Sequence, residues 1–286
     1  MKSEIMVGTY VANEYRDEIS IRESTQPSSS RYKIISIQQI DDDIYLIQGT
    51  ISSKKILTKD RNMVVLRRHI MGNQYELTLI NPIRLDEEGM EQLEQLGIVY
   101  MLIRLGPTVG ATDDEFYIQK YPYCLRFAPG YLRSLSSSAS KKMKKREAAF
   151  LPIHRILSED SFLLDHRTDV FIFRDTIQPE AALLLRRKRG NILITSESLQ
   201  SHQDGSAHFN LSMKMKSKRE GMHDSSIVVS PRWLKKMSTK KDSLREDFER
   251  LLRLDFTRHI GLSGNVVGGQ VRESCVLAVE MAFQWN

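Results

Sequence analysis

Apolar positions along this chain recur with two periods, and the period changes partway through. Residues 34–40, 44–51, 63–69 and 75–80 alternate or run apolar over strand-like lengths. They are separated by Asp41-Asp42-Asp43, by a Ser-Lys loop and by Gly72-Asn73, which predicts an antiparallel meander with short turns. The period then becomes helical. Asp86 is placed to cap a helix with acids in its first turn and with Leu85 stapled to Met90; Met90, Leu93 and Leu96 form its apolar stripe and Gly97 stops it. Residues 98–103 are nearly all apolar, as a strand buried on both faces requires.

Further along, a second helix is expected from Asp113-Asp114-Glu115, then a strand at 124–128 and short strands at 170–173, 181–185, 192–195 and 227–229. Leu244, Phe248, Leu251 and Leu252 mark an amphipathic helix, residues 259–262 a strand, and Val271, Cys275, Val279 and Phe283 a last helix. Three stretches break the rhythm. Residues 1–31 are polar and read as a flexible arm. Residues 131–147 are Ser-rich and then Lys-rich and read as an exposed insertion. Residues 200–241 are polar and basic with little periodicity. The order of periods predicts one α/β domain over 32–286, a four-layer αββα sandwich of two mixed sheets flanked by helices.

Composition narrows the class without naming a function. With 286 residues, 41% of them hydrophobic, the chain can bury a sizeable core. No apolar run approaches the length of a membrane span, so no membrane insertion is expected. Cys124 and Cys275 lie far apart in apolar surroundings and read as reduced core residues of a cytoplasmic protein. The net charge of +6 is modest, but the basic residues cluster at 141–146, at Arg186-Arg187-Lys188-Arg189, and from 214 to 219 leading on to 235–241. Such runs can meet nucleic acid or an anionic surface, although no nucleic-acid motif accompanies them and solvated turns are the simpler reading.

Several segments, taken in order, carry a resemblance: Tyr45-Leu46-Ile47-Gln48-Gly49-Thr50, Leu79-Ile80-Asn81-Pro82-Ile83-Arg84-Leu85-Asp86, Ile103-Arg104-Leu105-Gly106, Pro179-Glu180-Ala181-Ala182, Ile194-Thr195-Ser196-Glu197 and Ser263-Gly264-Asn265. The chain resembles divergent short members of the metallo-β-lactamase fold superfamily. That resemblance implies a site with one or two divalent ions, held by a His-x-His-x-Asp-His loop after a buried strand, a later His, an Asp after another strand and a last His near the C-terminus. Imidazole and carboxylate ligands hold the ions, which polarise a substrate and generate hydroxide at neutral pH.

Here the first loop reads Gly106-Pro107-Thr108-Val109-Gly110-Ala111-Thr112-Asp113-Asp114, without a histidine. The second His falls within Thr176-Ile177-Gln178, the bridging acid becomes Ser196-Glu197, and the last His becomes Ser263 or Asn265. The resemblance therefore leaves Asp113, Asp114, Gln178, Glu197, Ser263 and Asn265 as pocket residues, with no catalytic residue, metal or cofactor assigned. Asp113, Asp114 and Glu197 are expected to converge at the mouth between the sheets, balanced by a base such as Arg104 or His259.

Other chemistry is weaker. His202, Asp204 and His208 lack the spacing of a known metal motif, and Ser196, Ser198 and Ser263 have no nucleophile elbow or partner histidine. Trp233 and Trp285 are expected to pack. The sequence thus favours a non-catalytic relative of these hydrolases that binds a small ligand or a protein. The alternatives are an atypical hydrolase that uses the remaining acids, and binding of nucleic acid or anionic surfaces through the basic loops.

Overall fold

The computed structural model describes residues 32–51, 59–106, 111–130, 153–159, 167–201, 227–238 and 240–284. The arm at 1–31, the insertion at 131–147, His202, Asp204, His208 and Trp285 lie outside them. The meander forms β1 (Lys33–Asp41), β2 (Ile44–Ile51), β3 (Lys59–Met71) and β4 (Gln74–Ile80), each antiparallel to the next. Then α1 (Glu87–Leu96) crosses over to β5 (Ile98–Ile103), which lies parallel to β4, and α2 (Ala111–Lys120) leads to β6 (Leu125–Ala128) and β7 (Arg155–Ile156), both parallel additions. These seven strands form one mixed sheet in chain order.

The second sheet is built from β8 (Thr168–Phe173), β9 (Glu180–Leu185), β10 (Ile192–Ile194) and β13 (Arg258–Ile260), in the order β13-β10-β9-β8. It too is mixed, since β10 runs parallel to β13 and antiparallel to β9. A small hairpin of β11 (Leu199–Ser201) and β12 (Ile227–Val229) and three helices, α3 (Pro231–Met237), α4 (Lys241–Leu252) and α5 (Val271–Gln284), complete the described residues. None of the helices is long and apolar enough to cross a membrane.

Strand parity sorts the apolar side chains into three layers. Ile44, Leu46, Val64, Ile80 and Ile103 of the large sheet meet Leu183, Leu185, Ile192, Ile194 and Ile260 of the small one. Their neighbours point outward. Val65, Leu77, Leu79 and Leu102 pack under Met90, Leu93 and Tyr117 of α1 and α2. Ala182, Leu184 and Leu193 pack under Trp233, Phe248, Leu251 and Cys275 of α3, α4 and α5. The result is the expected αββα sandwich, with both cysteines buried and unpaired.

The helix signals held in detail. Asp86 accepts the Gly89 amide at 3.0 Å, and Glu87 and Glu88 face the helix N-terminus. Gly97 ends α1 at φ 153°, where a Cβ would stand 2.5 Å from the Tyr75 carbonyl, so the tight return to β5 needs glycine. Two expectations need correction. The second helix begins at Ala111, which puts Asp113 and Asp114 inside its first turn rather than at its start. Part of the stretch called aperiodic is helix α3, which starts on a Ser230 cap and a proline in its first turn.

The basic turn Arg186-Arg187-Lys188-Arg189 closes one end of the sandwich. Arg187 forks onto Asp43 with bonds of 3.1 and 2.9 Å, Arg186 holds Asp169 at 2.6 Å, and Arg258 reaches Asp41 at 3.1 Å. The acidic β1–β2 turn of one sheet is thus clasped by arginines of the other.

Candidate functional site

The opposite end gathers the C-terminal ends of β4, β5, β10 and β13. Asn81, directly after β4, holds a left-handed backbone (φ 52°) and is buried; its amide NH₂ donates to the Thr195 carbonyl at 3.2 Å and its side-chain oxygen accepts the Leu105 amide at 3.1 Å. One residue thereby ties the chain after β5 to the chain after β10, across the two sheets. The loop after β13 is sewn down as well. Asn62 donates to the carbonyls of Gly261 and Gly264, Gln48 donates to Gly264, and the Ser201 hydroxyl donates to Ser263 and Asn265.

At the centre, Gly106 lies against Glu180 and Ser196. A Cβ at Gly106 would fall 2.6 Å from the Glu180 Oε2 and 2.8 Å from the Ser196 hydroxyl, so that position has no space for a methyl group. Glu180 is fully buried. Its Oε1 accepts the Ser198 amide at 3.2 Å and its Oε2 accepts the Trp233 indole N–H at 2.9 Å. Burial pushes the carboxyl up to about 8, against the indole and the Ser198 hydroxyl and amide, and the Glu197 charge adds to the rise. Glu180 therefore stays neutral at neutral pH. The Ser196 hydroxyl and the Gln178 carbonyl oxygen are buried without hydrogen-bond partners.

Trp233 is itself buried, edge-on to Phe173 and Phe248 with ring centroids 5.9 and 5.8 Å away, so the carboxyl is held by an indole fixed in the aromatic core under α3. Trp233 packs as expected, and it also supplies this hydrogen bond.

The three acids expected to converge do not all do so. Asp114 is fully buried in the layer under α2, where Arg126 Nε donates to it at 3.0 Å and Arg104 pairs with its other oxygen while donating to the Pro82 carbonyl at 2.9 Å. Arg104 is the expected basic neighbour, but its partner is this acid. Asp113 and Glu197 instead share the neighbourhood of Arg61, at the start of β3. Arg61 lies 3.7 Å from Glu197 and acts electrostatically on the Tyr32 hydroxyl and on Asp113. Burial pushes Asp113 up to about 6, opposed by Arg104, the Arg84 amide and Arg61 and reinforced by Asp114.

His259 takes no part in balancing the acids. It is fully buried, its Nε2 lies 2.9 Å from the Thr195 hydroxyl, and burial lowers it to about 3, which keeps the ring neutral. Gln178 sits two residues before Glu180. Ser263 and Asn265 lie on the loop held by Gln48 and Ser201, apart from Asp114.

By sequence, no family model and no curated protein matches the chain. By structure it is similar to the metallo-β-lactamase FIM-1 from Pseudomonas aeruginosa in its mono-zinc form, with a TM-score of 0.56 and 10% identity over 89% of this chain and 98% of that one. It is also similar to the metallo-β-lactamase DIM-1, with a TM-score of 0.54 and 12% identity over 87% and 98%. A metallo-β-lactamase from Hirschia baltica gives 0.53 and 9% over 86% and 98%. The chain has the metallo-β-lactamase fold.

The residues at the site do not fit the divalent ions that this resemblance implies. Gly106 has no ligand atom and no space for one, Ser196 and Gln178 offer neutral oxygens, Glu180 keeps its proton, and Asp114 belongs to two arginines. Among the described residues, no group of three or more His, Cys, Asp or Glu is arranged to hold a metal ion.

Proposed function

We propose that this chain is a non-hydrolytic, metal-independent protein of the metallo-β-lactamase fold, and that it acts by binding a small ligand or a protein. The observation that carries the reading is the contact among Gly106, Glu180 and Ser196, in which a neutral carboxyl and a hydroxyl fill the space beside the loop where the resemblance expects metal ligands. Filling a site with buried, mutually packed groups removes both the metal and the water it would activate. Protein purified without added metal should carry substoichiometric zinc and should show no turnover in a screen of esters, lactones, phosphodiesters and β-lactams. Stoichiometric zinc together with turnover would overturn the reading.

One observation favours the second reading, an atypical hydrolase. A buried carboxyl that titrates near neutral pH is a common mark of a general acid or base. Against it, both oxygens of Glu180 are already engaged and the residue has no exposed surface, so a substrate would first have to displace the Trp233 indole or the Ser198 amide. Loss of a detected hydrolase activity in Glu180→Gln would move the assignment to this reading. Binding of polyanions through Arg186–Arg189 draws less support, because Arg186, Arg187 and Arg189 lie within ion-pair distance of Asp169, Asp43 and Asp42.

A further inference from the structure

Resting on the metal-free reading above, we infer that Arg61 is the resident cation of the site, its guanidinium supplying to Glu197 the positive charge that the resemblance assigns to metal ions. The resemblance puts Glu197 at the position of the bridging acid, and Asp113 lies in the first turn of α2. The Glu197 carboxylate stands 3.7 Å from Arg61, which projects from β3 with its side chain only 16% exposed, beside Tyr32, and Asp113 feels its charge more weakly.

The surroundings fix this arrangement from several sides. Tyr32 is locked by its own backbone, donating to the Arg84 carbonyl at 2.7 Å and accepting from the Asp86 amide at 2.9 Å. Asp113 accepts the Arg84 amide, and Arg104 acts on it while holding Asp114. The neighbouring Asn62 is pinned to Gly261 and Gly264, so the start of β3 cannot drift from the β13 loop. Arg104 and Arg126 are committed to Asp114, which leaves Arg61 as the cation that faces Glu197 among the described residues.

An alternative use of the same guanidinium, as a receptor for an anionic ligand, is disfavoured by its neighbours. An anion at Arg61 would meet the Glu197 carboxylate that already stands 3.7 Å away, with the charge of Asp113 opposing it further, so the guanidinium's attraction is largely offset. A guanidinium already facing a carboxylate completes a site; it does not open one for an anion.

The test uses the full chain, with thermal melting as the readout. Arg61→Ala should lower the melting temperature by about 3–6 °C, and in a Glu197→Gln background the same change should cost less than half as much, because the partner is already gone. Millimolar guanidinium chloride should restore about half of the loss in Arg61→Ala while leaving wild type unmoved, since it replaces the missing group. Arg61→Lys, which keeps the charge, should melt within about 2 °C of wild type and provides the comparison if the alanine variant does not fold.

Equal losses in both backgrounds, or no recovery with guanidinium, would overturn the assignment. So would a lysine variant as damaged as the alanine one, because that would point to packing of the side chain instead of its charge. Zinc bound by wild type would instead strike at the metal-free reading, so the two failures are separable.

Discussion

The two ends of the sandwich treat charge in opposite ways. At the end closed by the Arg186–Arg189 turn, the hairpin end of β1–β2 and β9–β10, arginines meet acids within and across the sheets, with Asp43 part-exposed, forked by Arg187 and approached by Arg167. At the site end Asp113, Asp114 and Glu180 are buried while Glu197 is part-exposed, and each is handled differently: Asp114 by two arginines, Asp113 by the charges of Arg104 and Arg61, Glu197 by Arg61, Glu180 by neutral donors alone. The hairpin end could trade its pairs for other polar contacts at modest cost. The site end could not, because a buried charge that loses its partner has no water to turn to. On the metal-free reading proposed above, the described acids of the site end already have protein partners in place of an ion.

The largest effect that sharpens this contrast is expected at Asp114. Asp114→Asn leaves two buried guanidinium groups facing a neutral amide and should destabilise the fold by about 3–5 kcal/mol in urea unfolding. A loss below about 1 kcal/mol would place the Arg104–Asp114–Arg126 cluster in the same class as the hairpin pairs.

Next is Glu180, whose effect depends on pH. Its folded value of about 8 lies above its ordinary 4.5, so the folded state holds a proton that the unfolded chain releases, and stability falls as pH rises through that window. His259 works in the other direction. Its folded value of about 3 lies below 6.5, so unfolding takes up a proton and stability falls as pH drops below 6.5. Between 4.5 and 6.5 the two proton changes cancel, and Asp113, raised from 3.8 to about 6, adds a decline of about 2 kcal/mol between 4.5 and 6. Above 6.5 Glu180 acts alone and should remove about 2 kcal/mol by pH 8. Glu180→Gln should flatten that decline and be the more stable protein at pH 8.5. Parallel pH profiles for the two proteins would show that Glu180 is ionised in the fold.

The smallest effect is expected at the hairpin end. Arg187→Ala removes the fork on a part-exposed Asp43 and should cost about 1–2 kcal/mol, less at high salt. A loss as large as that of Asp114→Asn would erase the distinction between the two ends.

What the sequence showed of all this follows from where information is local. The meander and the outer helices were legible because alternation and the 3.6 period record burial directly, as in Ile192-Leu193-Ile194, whose side chains serve two different layers. The missing histidines were legible too. Helix α3 was overlooked because only seven residues form it and Lys235 and Lys236 face solvent, though the Ser230-Pro231 start was a signal. Glu180 was passed over as one letter in a recurring segment; a lone acid opening the apolar run Ala181–Leu185 marked it. Arg126 was passed over as well, although a charge within an apolar strand was a signal of the same kind. Nothing local marks Arg61, since its role depends on a turn more than a hundred residues away.

The most direct test of the account is a zinc titration of the purified chain by calorimetry at neutral pH, with melting temperature followed in parallel. The account predicts no saturable heat and an unchanged melting temperature, because the described acids at the site already have protein partners. One equivalent of zinc bound tightly, with a raised melting temperature and loss of both in Glu197→Gln, would contradict it.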